Sequence, residues 1–155
     1  MFGAGKSAYS LIEYLLINAE ENNWQLTIAD MFPEAIIKKF PNHKSLETIT
    51  FSLENEVLKN ELIEKADIVI SMLPAILHMQ IATSCLRFSK NLITPSYVSK
   101  EMQEIDEDVK AKGLIFLNEI GLDPGIDHMS AMKIIHEIKE SGNKITAFES
   151  FTGGL

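Results

Sequence analysis

Six residues at the start of the chain, Gly3-Ala4-Gly5-Lys6-Ser7-Ala8, have the types and spacing that hold a diphosphate without a charged side chain. In a G-x-G-x-x-G/A turn the first glycine permits a tight bend and the second lets backbone approach the diphosphate. A small third residue, here Ala8, lets the next helix pack closely on a strand, and that helix aims its free N–H groups and positive dipole end at the anion. Taken alone, the same glycines would also serve in a plain turn. Gly5-Lys6-Ser7 matches, in addition, the end of a nucleoside-triphosphate loop, G-x-x-x-x-G-K-[ST]. Against that rival, the apolar run at 66–73 ends in Ser71-Met72-Leu73-Pro74, without the Asp that holds magnesium in such sites, and Asp30 would have no task.

Asp30 closes the alternating stretch Trp24-Gln25-Leu26-Thr27-Ile28-Ala29, 25 residues after Gly5. A carboxylate there accepts hydrogen bonds from the adenosine ribose hydroxyls and repels a 2′-phosphate. With Met31 next and no Arg, the expected cofactor is NAD, with NADP second.

Three further segments carry chemistry-bearing side chains at the ends of strand-like runs. The backbone edges of Ser71, Met72 and Leu73 should face the nicotinamide half of a dinucleotide, or else the segment merely joins a strand to a proline-started helix. Thr94-Pro95-Ser96-Tyr97 ends a second run in hydroxyls. Asn118-Glu119-Ile120-Gly121-Leu122-Asp123-Pro124-Gly125-Ile126-Asp127-His128 follows a third, replacing the usual short βα turn with two glycines, a proline and polar groups. Asp123 and Tyr97 are the local candidates for proton transfer. A purely structural loop is the alternative.

The elements that must position these residues alternate. Helices are expected at Ser7 to Glu20, with Leu11, Tyr14, Leu15 and Asn18 at helical spacing, and at 32–40, 54–65, 75–88, 100–112 and 126–140. Strands are expected at 24–30, 45–51, 66–73, 91–94, 114–117 and 144–151. Repeated βα units imply a doubly wound parallel sheet of the Rossmann type. Residues 1–125 would form the dinucleotide-binding domain, and 126–155 a connecting helix and the start of a substrate domain. Only Met1 and Phe2 precede the glycine turn, where about five apolar residues are usual. A chain truncated at the first strand is the expectation.

The 155 residues, 46% hydrophobic, suit one compact α/β unit. A net charge of -8 opposes nucleic acid as a partner. No apolar run reaches the roughly 18 residues of a membrane span, and no signal peptide is evident, so membrane association is not expected. The lone Cys85 allows no internal disulfide and suits the cytoplasm. His43, His78, His128 and His136 share no ligand spacing and read as surface or packing residues, so no metal is expected. The seven methionines are scattered and read as core filling. Homodimer formation is left open.

The 118–128 segment, with Ser96-Tyr97 and the closing Phe151-Thr152-Gly153-Gly154-Leu155, resembles saccharopine dehydrogenase of the glutamate-forming type across essentially the whole chain. That resemblance implies oxidation of the secondary amine of saccharopine by a nicotinamide dinucleotide, then hydrolysis to glutamate and 2-aminoadipate 6-semialdehyde. It implies that Ser96, Tyr97 and Asp123 contact the amino-acid substrate. Gly3, Gly5, Lys6, Ser7, Asp30, Ser71, Met72 and Leu73, with Leu122, Asp123, Pro124 and Gly125, would line the cofactor. Members often carry Cys where this chain has Thr152, and many fungal members carry Arg where it has Asp30-Met31, which fits NAD-linked members better. The family continues into a substrate domain beyond the Gly-Gly-Leu segment. A carboxyspermidine-type dehydrogenase and a non-catalytic nucleotide-binding module are the alternative functions.

Overall fold

The computed structural model describes residues 1–151 and Gly153. Its elements alternate as the sequence patterning predicts. A 3-10 turn at Lys6–Ala8 runs into helix α1 (Tyr9–Ile17) and a short α2 (Ala19–Asn22), followed by strand β1 (Leu26–Asp30). Then come α3 (Glu34–Lys39), β2 (Leu46–Thr50), α4 (Glu56–Lys65) and β3 (Ile68–Ile70). A 3-10 turn at Ala75–Leu77 leads into α5 (His78–Phe88), followed by β4 (Asn91–Ile93), α6 (Lys100–Glu104), α7 (Asp106–Ala111), β5 (Phe116–Leu117) and α8 (Ile126–Glu140).

All strand pairs are parallel, in two groups ordered β1-β2 and β3-β4-β5. Phe2 joins the groups, bridging Ala29 on one side and Ser71 on the other. Its N–H donates to Ile70 O at 2.8 Å and its carbonyl accepts from Met72 N at 2.7 Å. On the other edge, Ala29 N donates to Met1 O at 2.8 Å and Gly3 N to Ala29 O at 2.9 Å. The order is therefore β2-β1-Phe2-β3-β4-β5, the doubly wound order with its central strand reduced to one paired rung. Short as it is, this segment satisfies ladder groups on both neighbours through Met1, Phe2 and Gly3.

Because side chains alternate across a strand, adjacent residues of β1 serve different cores. Ile28 packs with Ala4, Ala8, Ile12, Leu16 and Ile36 on the face covered by α1 and α3. Ala29 packs with Phe2, Phe51, Ile63, Val69, Ile81, Cys85 and Leu92 on the face covered by α4 and α5. Burial raises the Cys85 thiol to about 12, which suits a packing residue rather than a nucleophile.

Three expectations are corrected. The buried face of the first helix is Ala8, Ile12, Leu16 and Ala19, whereas Tyr14 is exposed, so the inward stripe lies one residue beyond Leu11 and Leu15. Ala8, fully buried at the turn, sets the helix phase, and residues four and eight positions on must follow it inward. Residues 144–151 form no strand, since no other strand among the described residues lies beside them to complete a ladder. The expected helix at 100–112 is divided at Ile105.

Candidate functional site

The glycine turn is built from both halves of the sheet. Gly3 has φ +88, and a Cβ there would meet the Met72 carbonyl carbon and oxygen at 2.9 Å and Leu73 N at 3.1 Å. The bend and the close approach both require glycine. Gly5 differs, since a Cβ there would meet nothing within 4 Å. It is exposed with Lys6 and Ser7, and the backbone N–H groups of these three residues have no acceptor among the described residues. Three unpaired amides at the opening of a helix, with an open approach over Gly5, form a cradle that fits a diphosphate.

Asp30, ending β1, reaches back to this turn. Its Oδ2 accepts from Ala4 N at 2.6 Å and its Oδ1 from Phe32 N at 2.8 Å. The carboxylate is thereby fixed beside the cradle with lone pairs left for ribose hydroxyls.

A second group gathers at the ends of β4 and β5. Ser96 and Tyr97 follow β4, and Gly121 to Pro124 follow β5. Together with Ala75 and Pro95 they line a cleft of about 330 Å³. The Tyr97 hydroxyl donates to Asp123 Oδ1 at 2.7 Å. That hydrogen bond, and then the negative charge of Asp123, raise the Tyr97 pKa above its ordinary value, so the phenol stays protonated. Leu122 is exposed, while Pro124 and Gly125 are buried, and the Asp123–Pro124 peptide is cis. Gly125 has φ +148, and a Cβ there would collide with the Gly121 backbone. The segment therefore doubles back on itself, with Gly121 N donating to Pro124 O at 2.8 Å. A shallow depression of similar volume, lined by Thr83, Arg87 and Lys112, lies elsewhere and holds none of the expected site residues.

Glu119 ties the two loops of the cleft together. Its Oε1 accepts from Val98 N at 3.1 Å and its N–H donates to Ser96 O at 3.0 Å. Asn118 Oδ1 accepts from the buried Thr94 hydroxyl at 3.0 Å. Near the opening of α8, Asp127 Oδ1 pairs with His128 Nδ1 at 2.8 Å. Partial burial works against the Asp127 charge, but hydrogen bonds from His128 and Gly125 N hold it below the usual carboxylate range. His128 is raised in turn. Ligand atoms of Asp123, Asp127 and His128 lie within 4.8 Å of one another. Exposed groups of this kind are common without an ion and support no metal role.

Ser71 sits between the two groups with its side chain turned into the core. It is fully buried, with its N–H on Ile93 O and its hydroxyl 2.8 Å from His78 Nδ1. His78 Nε2 is 2.8 Å from Ser96 Oγ. This line, absent from the residue-type reading, joins the strand end beneath the cofactor turn to the cleft. The signal for it was a Ser and a His seven residues apart across the Pro74 turn.

Residues 1–117 match the family model described as saccharopine dehydrogenase NADP binding domain, and residues 121–155 match saccharopine dehydrogenase C-terminal domain. The chain belongs to the saccharopine dehydrogenase family. It is 35% identical to saccharopine dehydrogenase [NADP(+), L-glutamate-forming] of Schizosaccharomyces pombe, over all of this chain and 34% of the relative. It is 32% identical to mouse mitochondrial alpha-aminoadipic semialdehyde synthase, again over the whole chain but 16% of that protein. The solved apo, histidine-tagged saccharopine dehydrogenase (L-Glu forming) of Saccharomyces cerevisiae superposes with TM-score 0.77 at 28% identity, covering 91% of this chain and 31% of that one. The chain thus spans between about a quarter and a third of the fungal relatives it matches. The model described as an NADP binding domain covers the glycine turn. Among the described residues, no helix is long and apolar enough to cross a membrane. Thr152, with Gly154 and Leu155, lies outside the described residues.

Proposed function

We propose that this chain supplies the dinucleotide cradle and one wall of the substrate cleft in an enzyme that oxidises saccharopine to glutamate and 2-aminoadipate 6-semialdehyde. The carrying observation is the Tyr97–Asp123 pair, held at the same end of the parallel sheet as the Gly5 cradle. The cofactor's nicotinamide would accept the hydride. Asp123 would take the proton leaving the secondary amine as the C=N bond forms, then orient the water that adds to the imine carbon. The carbon–nitrogen bond then breaks, freeing glutamate and leaving the aldehyde on the aminoadipate carbon. Tyr97, protonated and hydrogen-bonded, would hold the carboxylate in place, and Ser96 would contact the amino acid.

For the cofactor, the family model and fungal relatives are described with NADP, whereas Asp30 argues for NAD. A carboxylate fixed by two backbone amides beside the ribose position repels a 2′-phosphate. We take NAD as the preferred partner on that ground. The domain division is placed near residue 125, supported by α8, which has no buried residue. A cytoplasmic location rests on the single buried, unpaired Cys85, and fractionation of the expressed protein checks it.

The deciding experiment follows reduced-nicotinamide absorbance when the full-length gene product meets saccharopine with NAD or NADP. Turnover with saccharopine, faster with NAD, is expected. No turnover with either would reject the enzymatic reading in favour of a nucleotide-binding module.

A further inference from the structure

The line Ser71–His78–Ser96 has a direction, and proton counting supplies it. Ser71 is 0% exposed, and its hydroxyl has one polar neighbour among the described residues, His78 Nδ1. A hydroxyl proton buried without an acceptor forfeits its solvation with no return. Ser71 therefore donates and Nδ1 accepts. The ring is neutral, because burial lowers the His78 pKa and the residue opens α5, where the helix dipole opposes positive charge. A neutral imidazole accepting at Nδ1 carries its proton on Nε2. That proton goes to Ser96 Oγ, so the Ser96 hydroxyl accepts from the ring and keeps its own proton free. Ser96 is half-buried and lines the cleft with Tyr97 and Asp123.

We infer that His78 is a positioning residue that fixes the polarity of Ser96, leaving its one proton free to donate toward an acceptor oxygen of the ligand, of the carboxylate class, in the cleft. The reverse direction would turn Nδ1–H onto Ser71 and strand the Ser71 proton in the core. A carboxylate oxygen meets the free Ser96 proton as its complement, whereas a ligand ammonium or N–H finds only the one lone pair that His78 leaves over. The naming of that oxygen as an amino-acid carboxylate rests on the proposed function; the direction of the line does not.

Two measurements test this. In the ligand-free chain, two-bond nitrogen–proton spectra of 15N-histidine samples, assigned by loss of the signal in His78→Gln, should find His78 as the neutral Nε2–H tautomer. An Nδ1–H tautomer, or a charged ring at neutral pH, overturns the inference. In the full-length gene product, His78→Phe should raise KM for saccharopine about tenfold, the scale of one hydrogen bond to a charged group, with a smaller change in kcat. His78→Gln, whose amide reaches toward Ser96 as a donor, should recover most of that loss. Ser96→Ala combined with His78→Phe should be no worse than either alone, and additive losses would refute action through Ser96. Failure of the full-length protein to oxidise saccharopine at all would strike the proposed function, while the tautomer spectrum would still decide the polarity of Ser96.

Discussion

The Tyr97 hydroxyl and Asp123 Oδ1 are 2.7 Å apart although 26 residues separate them in the chain. Each belongs to a different strand-end loop, so the pair exists only because β4 and β5 are parallel neighbours that end side by side. Removing Asp123 should act on both functions of the pair. In Asp123→Ala, kcat/KM for saccharopine should fall on the order of 10²–10⁴-fold, the range of lost acid–base assistance. In Asp123→Asn, the Tyr97 ionisation should move down toward its ordinary value of 10.0. Ultraviolet titration reads this directly in a chain with three tyrosines. Unchanged turnover would remove Asp123 from the chemistry.

The two glycines of the turn should separate folding from binding. Gly3→Ala places a Cβ against the Met72 backbone at a positive φ, and it should destabilise the chain by about 2–4 kcal/mol. Gly5→Ala has room for its methyl group and should unfold at nearly the wild-type temperature while binding dinucleotide more weakly. Thermal melts and cofactor titration on the same samples check the contrast.

Asp30 should serve structure and, on the proposed function, cofactor choice together. Asp30→Ala leaves the buried Ala4 N–H without its acceptor, for a loss of about 1–3 kcal/mol. Asp30→Asn keeps an acceptor but loses the charge, so it should hold the turn and narrow the preference for NADH over NADPH. Tighter NADPH binding by the wild type would overturn the NAD assignment.

Acid should loosen the fold through His78. Burial holds its folded pKa below the ordinary value of 6.5, so the unfolded chain binds the proton more readily. The stability from the neutral buried ring is fully present above about pH 6.5 and is lost as pH falls through the folded value. His128 has the opposite sign, since Asp127 raises it and its contribution fades as pH rises through the folded pKa. That pair is exposed and should count for little. Urea midpoints at pH 7 and pH 5 should fall in the wild type and fall less in His78→Gln.

Strand identity was the most legible part of the fold, as in the apolar run 66–73 that contains β3, although Ile68 is exposed and the strand is not buried on both faces throughout. Helix phase was less so. Leu11 and Leu15 repeat at the same interval as Ile12 and Leu16, and only the burial of Ala8 selects between the two stripes. Residues 144–151 alternate as a strand should, yet alternation specifies a face and not a partner. At the site, the glycine turn, Asp30, Ser96, Tyr97 and Asp123 were readable by type and spacing. His78 was not, because a histidine on an apolar helix looks the same whether it merely fills space or bridges two hydroxyls.

Phe2 gives the site a mechanical character. The two groups of strands meet along a seam of a single paired residue, beneath a core that draws Ala29 and Phe51 from one side and Val69 and Leu92 from the other. The diphosphate cradle begins at the next residue, and Asp30 and Ser71 stand on opposite banks of that seam. A dinucleotide laid across it would therefore act as a rivet, and the folded domain should resist shear between its halves more strongly when loaded than when empty.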